Sequence, residues 1–238
     1  LINKYDGEVR MPYIKKEIQI VYVLRYFHAY WYQLYSALEA VSETIEGSKT
    51  LKIGLFCAGP APELIGITRF LEEHDYDFNS VEIHFFDEVS QWDFARETFL
   101  FSNGKRELLK KNLKMNFFNH TINLTDLNDL NDLNISSDFD VISFQNCLNE
   151  FSESSNKDSQ RNFLKVLDYL SPNCHAIFSD KKTSNTKLGF EMIKNFSSAN
   201  NYQVIFDDYI EFDAKKNSPT PEILLGGNSV SYTHLRAH

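Results

Sequence analysis

The chain has 238 residues, a formal net charge of −9 and 42% hydrophobic residues. At roughly 100–200 residues per domain it reads as one domain, or one with a helical appendage, able to bury roughly 70% of its extended surface without covalent staples. This composition excludes a disordered, collagen-like or disulfide-dense chain, and the acidic balance argues against a general grip on nucleic acid or anionic membrane.

Cys57, Cys147 and Cys174 are odd in number and lack CxxC or CxxH spacing. That pattern points to free thiols in a reducing compartment and away from zinc. Leu1–Arg10 is too polar for a signal peptide, and the apolar run Ile18–Leu38 carries Arg25, His28 and many tyrosines, a poor membrane span. The expectation is a soluble, cytoplasmic protein. Leu1 in place of a methionine reads as the start of a fragment. Val230–His238 resembles the in-frame translation of a sequencing-library adapter and is set aside as a non-native tail. The expected organisation is then a helical segment over 1–48, an α/β domain over 49–229 and the tail over 230–238.

Tyr13–Ile45 has no Gly or Pro and spaces its apolar residues for one or two helices. Leu51–Phe56 is short, apolar and bounded by Ala58-Gly59-Pro60, the pattern of a buried strand. Pro62 suits the first position of a helix continuing over Glu63–His74. Val81–Phe86 is a second strand, closed by Asp87-Glu88. A helix from Ser90 or Gln91 to about Leu100 and another over Arg106–Leu113 precede a third strand, Met115–Asn119. Leu124–Asn134 repeats Asp-Leu-Asn and fits neither helix nor strand, so it is read as a loop. Phe139–Phe144, Cys174–Ser179, Gln203–Phe212 and Glu222–Leu225 are further strands, with helices over Asp158–Leu170 and Leu188–Phe196. Alternation of this kind predicts a doubly wound α/β fold with a mostly parallel sheet. Its right-handed crossovers bring the loops after Phe56, Phe86, Asn119, Phe144 and Ser179 to one edge, where ligands bind.

Two patterns at that edge carry chemistry. Small residues in Cys57-Ala58-Gly59-Pro60-Ala61 let a backbone approach a ligand, next to the free N–H groups of a helix start. Asp87-Glu88 ends the second strand, where a carboxylate can accept both hydroxyls of a ribose. Together they point to a nucleoside site. Phe139–Glu150 adds polar groups at the mouth of a buried strand, with Cys147 close to Cys57 if the first and fourth strands are neighbours.

From about Leu51 to Leu225 the chain resembles the class I S-adenosylmethionine-dependent methyltransferases. Ala58-Gly59-Pro60-Ala61 matches that family's turn, Asp87 its acid, and Phe139–Phe144 its fourth strand, with Trp92 following the acid. The resemblance implies a seven-stranded sheet with the last strand antiparallel, and S-adenosyl-L-methionine as cofactor. Cys57, Ala58, Gly59, Pro60, Ala61, Asp87, Glu88 and Asn146 would hold it. Asn146 would orient the acceptor, and Glu150 or Asp180 would take a proton. The family pattern is acid-x-Gly-x-Gly-x-Gly, whereas this chain has Leu55, Cys57, Gly59 and Ala61. Two readings follow: methyl transfer to RNA, a small molecule or a protein, or a non-catalytic binding or regulatory module. The absent G-x-G-x-x-G argues against a nicotinamide enzyme.

Lys105, Arg106, Lys110, Lys111 and Lys114 read as a solvated helix end, or as a contact for an anionic substrate. Tyr22, Tyr26, Phe27, Tyr30, Trp31, Tyr32 and Tyr35 read as a packed helix face, or as a cap over a substrate pocket. His28, His74, His84, His120 and His175 show no metal-ligand spacing.

Overall fold

A computed structural model describes residues 12–45, 49–93, 95–96, 113–124, 126, 138–148, 151, 157–169, 173–181, 183–212 and 228–236. With no Gly or Pro to interrupt it, Lys16–Val41 forms one long helix, α1, closed by a 3-10 turn over Ser42–Thr44. Strand β1, Thr50–Phe56, is buried on both faces towards its end, as a central strand must be. Pro62 precedes α2, Glu63–Glu73, and β2 runs over Ser80–Asp87 with alternating burial. Strand β3, Lys114–Thr121, is partly exposed along its length, and β4, Val141–Gln145, is fully buried. Phe139 and Asp140 precede β4 rather than opening it. The Asp140 carboxylate accepts from Lys52 N at 2.7 Å and pins the approach to β1.

Helix α3, Lys157–Lys165, tightens into a 3-10 turn over Val166–Tyr169, and β5 follows over His175–Lys181. Helix α4, Ser184–Ala199, starts four residues earlier than apolar spacing predicts. Thr183 caps it reciprocally with Thr186, satisfying N–H groups that the turn would leave open.

Five parallel strands lie in the order β3-β2-β1-β4-β5. The order reverses at β1, whose two neighbours are β2 and β4, so a crevice opens past its carboxyl end. Beyond β5 the backbone continues the sheet as β7, Asn228–Arg236, and β6, Gln203–Phe212. Strand β7 pairs antiparallel with both β5 and β6. This pairing takes in the segment from Val230 set aside above as a tail, and the strand expected at Glu222–Leu225 lies outside the described residues. So do the helix expected over Arg106–Leu113 and most of the Asp-Leu-Asn loop. Among the described residues no helix is long and apolar enough to cross a membrane.

Two apolar layers sandwich the sheet. On one side α1 and α2 bury Leu34, Leu38, Ile67 and Phe70 over Ile53 and Ile83. The other layer is built on rings. Phe178, Phe144, Phe56, Phe86 and His120 stand side by side in register on β5, β4, β1, β2 and β3. Their successive centroids are 5.0, 4.7, 4.4 and 4.6 Å apart, and their planes lie within 17° of parallel. One ladder therefore crosses all five parallel strands just below their carboxyl ends.

The crossing of α1 over α2 depends on Gly66. A Cβ there would overlap the Trp31 carbonyl oxygen and stand 3.1 Å from Tyr35 N, both backbone atoms that cannot rotate away. In an open helix Gly→Ala stabilises by about 1 kcal/mol. Here Gly66→Ala is expected to destabilise by about 1–3 kcal/mol as α1 is pushed outward. A thermal melt at or above the wild-type midpoint would contradict this.

Candidate functional site

The loop after β1 turns three times through the left-handed region. Cys57, Gly59 and Ala61 have φ of 53°, 50° and 53°. These are the positions where the related pattern carries glycine, so the backbone path survives the loss of two glycines. Left-handed backbone costs an L-residue about 1–2 kcal/mol, which neighbouring contacts must offset. They are on hand: Ala61 N donates to Ala58 O at 2.7 Å, and Ala58 N to Phe86 O at 3.2 Å.

Asp87 ties this turn to the end of β2. Its Oδ2 accepts from Gly59 N at 2.7 Å and its Oδ1 from Val89 N at 2.9 Å. Burial pushes its pKa up, while the two N–H groups and Arg96 oppose that shift. Arg96 is buried; its Nε donates to Gly59 O at 2.9 Å and its Nη1 to Asn119 Oδ1 at 2.9 Å. The guanidinium also lies 4.9 Å from the Phe85 ring centroid. Gly59 is thus held from both ends, its N–H by a carboxylate and its carbonyl by a cation.

Past these turns lies a cavity of about 350 Å³. Gly59, Asp87 and Glu88 line it from the turns after β1 and β2, and Val89, Ile122 and Leu124 add apolar surface on the β2–β3 side. Gln145, Asn146 and Cys147 line it from the mouth of β4, on the other side of β1. Tyr13 and Tyr22, from the start of α1 and the residues before it, cover it together with Trp92. Gln19 fastens this cover, its Nε2 donating to Gln91 O at 3.0 Å and to Tyr13 O at 2.8 Å.

Asn146 adopts φ 55° and is buried. Its Nδ2 donates to Gln33 Oε1 on α1 at 2.9 Å, and its N–H donates to Ser179 O at 2.8 Å. Gln145 docks beside it. In the amide orientation its neighbours dictate, it donates to Glu63 Oε1 at 3.1 Å and accepts from Leu34 N at 3.0 Å. Glu63, at the first position of α2, is buried, and that burial raises its pKa to about 8.

Of the residues singled out from sequence, Cys57, Gly59, Asp87, Glu88 and Asn146 meet on the cavity. Ala58, Pro60 and Ala61 are buried within the turn and shape it from behind. Asp180 is also buried behind the cavity, its Oδ2 accepting from Leu148 N at 3.0 Å. Glu150 lies outside the described residues, as do Lys105–Lys111. His84 and His120 meet at 3.0 Å between β2 and β3, and burial lowers both pKa values. Sequence reasoning missed Tyr13, Gln33, Glu63 and Arg96, and reached Gln145 only as part of the polar stretch Phe139–Glu150. Only the aromatic stripe of α1, with its reading as a cap, pointed towards the cover.

No family model and no curated protein matches the chain. Solved structures do. The glycopeptide N-methyltransferase MtfA complexed with sinefungin is 8% identical, covering 87% of this chain and 94% of its own, with a TM-score of 0.51. A second MtfA structure gives 9% identity, 97% and 100% coverage and a TM-score of 0.50. A TehB-like SAM-dependent methyltransferase from Corynebacterium glutamicum is 13% identical over 94% of this chain and 100% of that one, with a TM-score of 0.47. At these identities the likeness is one of fold: an α/β domain of the kind found in S-adenosylmethionine-dependent methyltransferases.

Two expectations follow from the strained turn and the buried acid. Ala61→Gly relieves a left-handed alanine and should stabilise the protein by about 0.5–1 kcal/mol, a rise of about 1–4 °C in Tm. A lower midpoint would show that the alanine methyl contributes more than the strain costs. For Glu63 the folded pKa, about 8, exceeds the ordinary 4.5, so folding favours the protonated form. That contribution is complete below about pH 4.5 and is lost as pH rises through about 8. Glu63→Gln should flatten the fall in stability between pH 5 and 8, measured by urea unfolding at several pH values. Parallel curves for variant and wild type would refute it.

Proposed function

We propose that the protein binds S-adenosylmethionine in this cavity and transfers its methyl group to an acceptor. The observation that carries the reading is the bond between the Asp87 carboxylate and Gly59 N, which couples the end of β2 to the turn after β1. A carboxylate offers about four lone-pair positions. With one position on each oxygen taken by Gly59 and Val89, each oxygen keeps another for a ribose hydroxyl. Val89, Ile122 and Leu124 suit a purine, and the Asn146 amide, whose Oδ1 has no hydrogen-bond partner among the described residues, suits the amino-acid end. The residues present therefore fit the cofactor.

When bound, S-adenosylmethionine supplies a methyl carbon already activated by a sulfonium, which an acceptor's lone pair takes as the C–S electrons return to sulfur. What remains for the chain is positioning and the exclusion of water. In our reading Asp87 fixes the ribose, and the αL turn keeps side chains out of its way. Tyr13, Tyr22 and Trp92 close the cavity from solvent. Asn146, anchored by Gln33, orients the acceptor. Asp180 serves by holding the segment after β4 through Leu148 N, which leaves Glu150 as the candidate to accept a proton.

The acceptor we propose is a small molecule, an RNA or a protein side chain, with nucleic acid the less favoured by the charge of −9 and with no role for a membrane. Cys57, Cys147 and Cys174, none of them in a disulfide, suit a reducing cytoplasm. We also propose a seven-stranded sheet with its last strand antiparallel, that strand coming from the chain around Glu222–Leu225 rather than from the tail that begins at Val230.

Charge-assisted bonds to two hydroxyls contribute roughly 1.5–3 kcal/mol each before compensation. Asp87→Ala should therefore weaken S-adenosylmethionine binding tenfold or more in calorimetric titration. Equal affinity of variant and wild type would place the ribose elsewhere.

A further inference from the structure

Glu63 is only 4% exposed. Its Oε1 accepts from the Gln145 amide at 3.1 Å, while its Oε2 is buried with no hydrogen-bond partner among the described residues. The α1 groups that meet the same amide, the Tyr30 carbonyl and Leu34 N, are uncharged. Two charged groups act on the carboxyl, Arg96 and Asp87. Arg96 directs its Nε to Gly59 O and its Nη1 to Asn119 Oδ1, so neither bond compensates Glu63. A buried carboxylate without a paired cation is costly, and the group keeps its proton instead. Burial is the main cause and Asp87 adds to it, against the opposing pull of the Glu63 N–H and Arg96.

The carboxyl nonetheless adjoins the cavity. Gln145, which bonds it, and Asp87, which acts on it, both line that space. A positive charge held against these two residues would supply the counter-ion that Glu63 lacks, across protein rather than water. We infer that Glu63 is linked to the cavity by charge: it holds a proton in the free protein and releases it to solvent when a cation occupies the cavity. This rests on the cofactor reading above, in which the cation is the sulfonium. Methyl transfer leaves a neutral thioether, so Glu63 recovers a proton from solvent in the same turnover. Through Glu63, cofactor affinity rises with pH up to about 8 and levels off above it, where the free protein already carries the carboxylate.

The test titrates the full chain with S-adenosylmethionine at pH 7.5 in buffers of different ionisation enthalpy, a calorimetric count of the protons released. Wild type should release about half a proton more per ligand than Glu63→Gln, the share expected when the cation favours the carboxylate about tenfold. The ligand's own amino group titrates in this range, and the difference between the two proteins removes it. If Glu63→Gln does not fold, wild type alone decides. The infrared band of a protonated carboxyl should weaken at pH 7.5 on adding S-adenosylmethionine and persist with S-adenosylhomocysteine, whose sulfur is neutral. Equal proton counts in the two proteins, or a band that responds alike to both ligands, would overturn the inference and leave cofactor binding standing. No binding of S-adenosylmethionine would overturn the cofactor reading and this inference with it.

Discussion

The ring ladder from Phe178 to His120 is the constraint on which the site depends. Parallel strands joined only by backbone bonds could slip in register, and a slip of one residue would turn every side chain to the other face. Four stacked contacts at 4.4–5.0 Å oppose that slip, each contributing about 0.5–1.5 kcal/mol beyond burial. The residues that follow the rungs are those of the site. Cys57 follows Phe56, Asp87 follows Phe86, Gln145 and Asn146 follow Phe144, and Ser179 and Asp180 follow Phe178. The ladder thus sets the height at which each arrives at the sheet edge.

Above the ladder, the first turn shows how a backbone shape outlasts the residue type usually associated with it. Glycine at φ near +50° is free of the Cβ penalty, and Cys57 and Ala61 are not. The shape persists because the turn is gripped from outside itself, by Asp87 at Gly59 N and by Arg96 at Gly59 O. Both grips come from the second βα unit. The strain is thus local, while the interactions that hold it are tertiary.

Helix α1 completes the arrangement. Its buried stripe packs on α2, and its polar Gln19 and Gln33 reach back to Gln91 and Asn146. The same helix that covers the core therefore also covers the cavity. Trp31, whose carbonyl nearly touches Gly66, sits between those two polar anchors in sequence. The closeness of the α1–α2 crossing and the closure of the cavity are one geometric fact seen from two sides.

Much of this was legible in the residues themselves. Alternating apolar runs and helix starts such as Pro62 established the βα order, because hydrophobic periodicity and capping are local properties. The order in turn located the ligand edge, and the chemistry of Gly59, Asp87, Glu88 and Asn146 marked residues that meet on the cavity. What the chain alone could not disclose was every partnership between residues distant in sequence. Nothing in the chain around Arg96 marks it until the fold brings it to Gly59 and Asn119. Glu63 reads as a helix-start acid until Gln145 and α1 enclose it. Tyr22 reads equally as helix packing or as a cap, and Tyr13 as neither, until α1 lies across Trp92. Side-chain type and spacing are written residue by residue, so they determined which elements form and at which edge the cavity lies. Desolvation, strain and charge balance depend on what surrounds a group in three dimensions, and only the tertiary structure decided those.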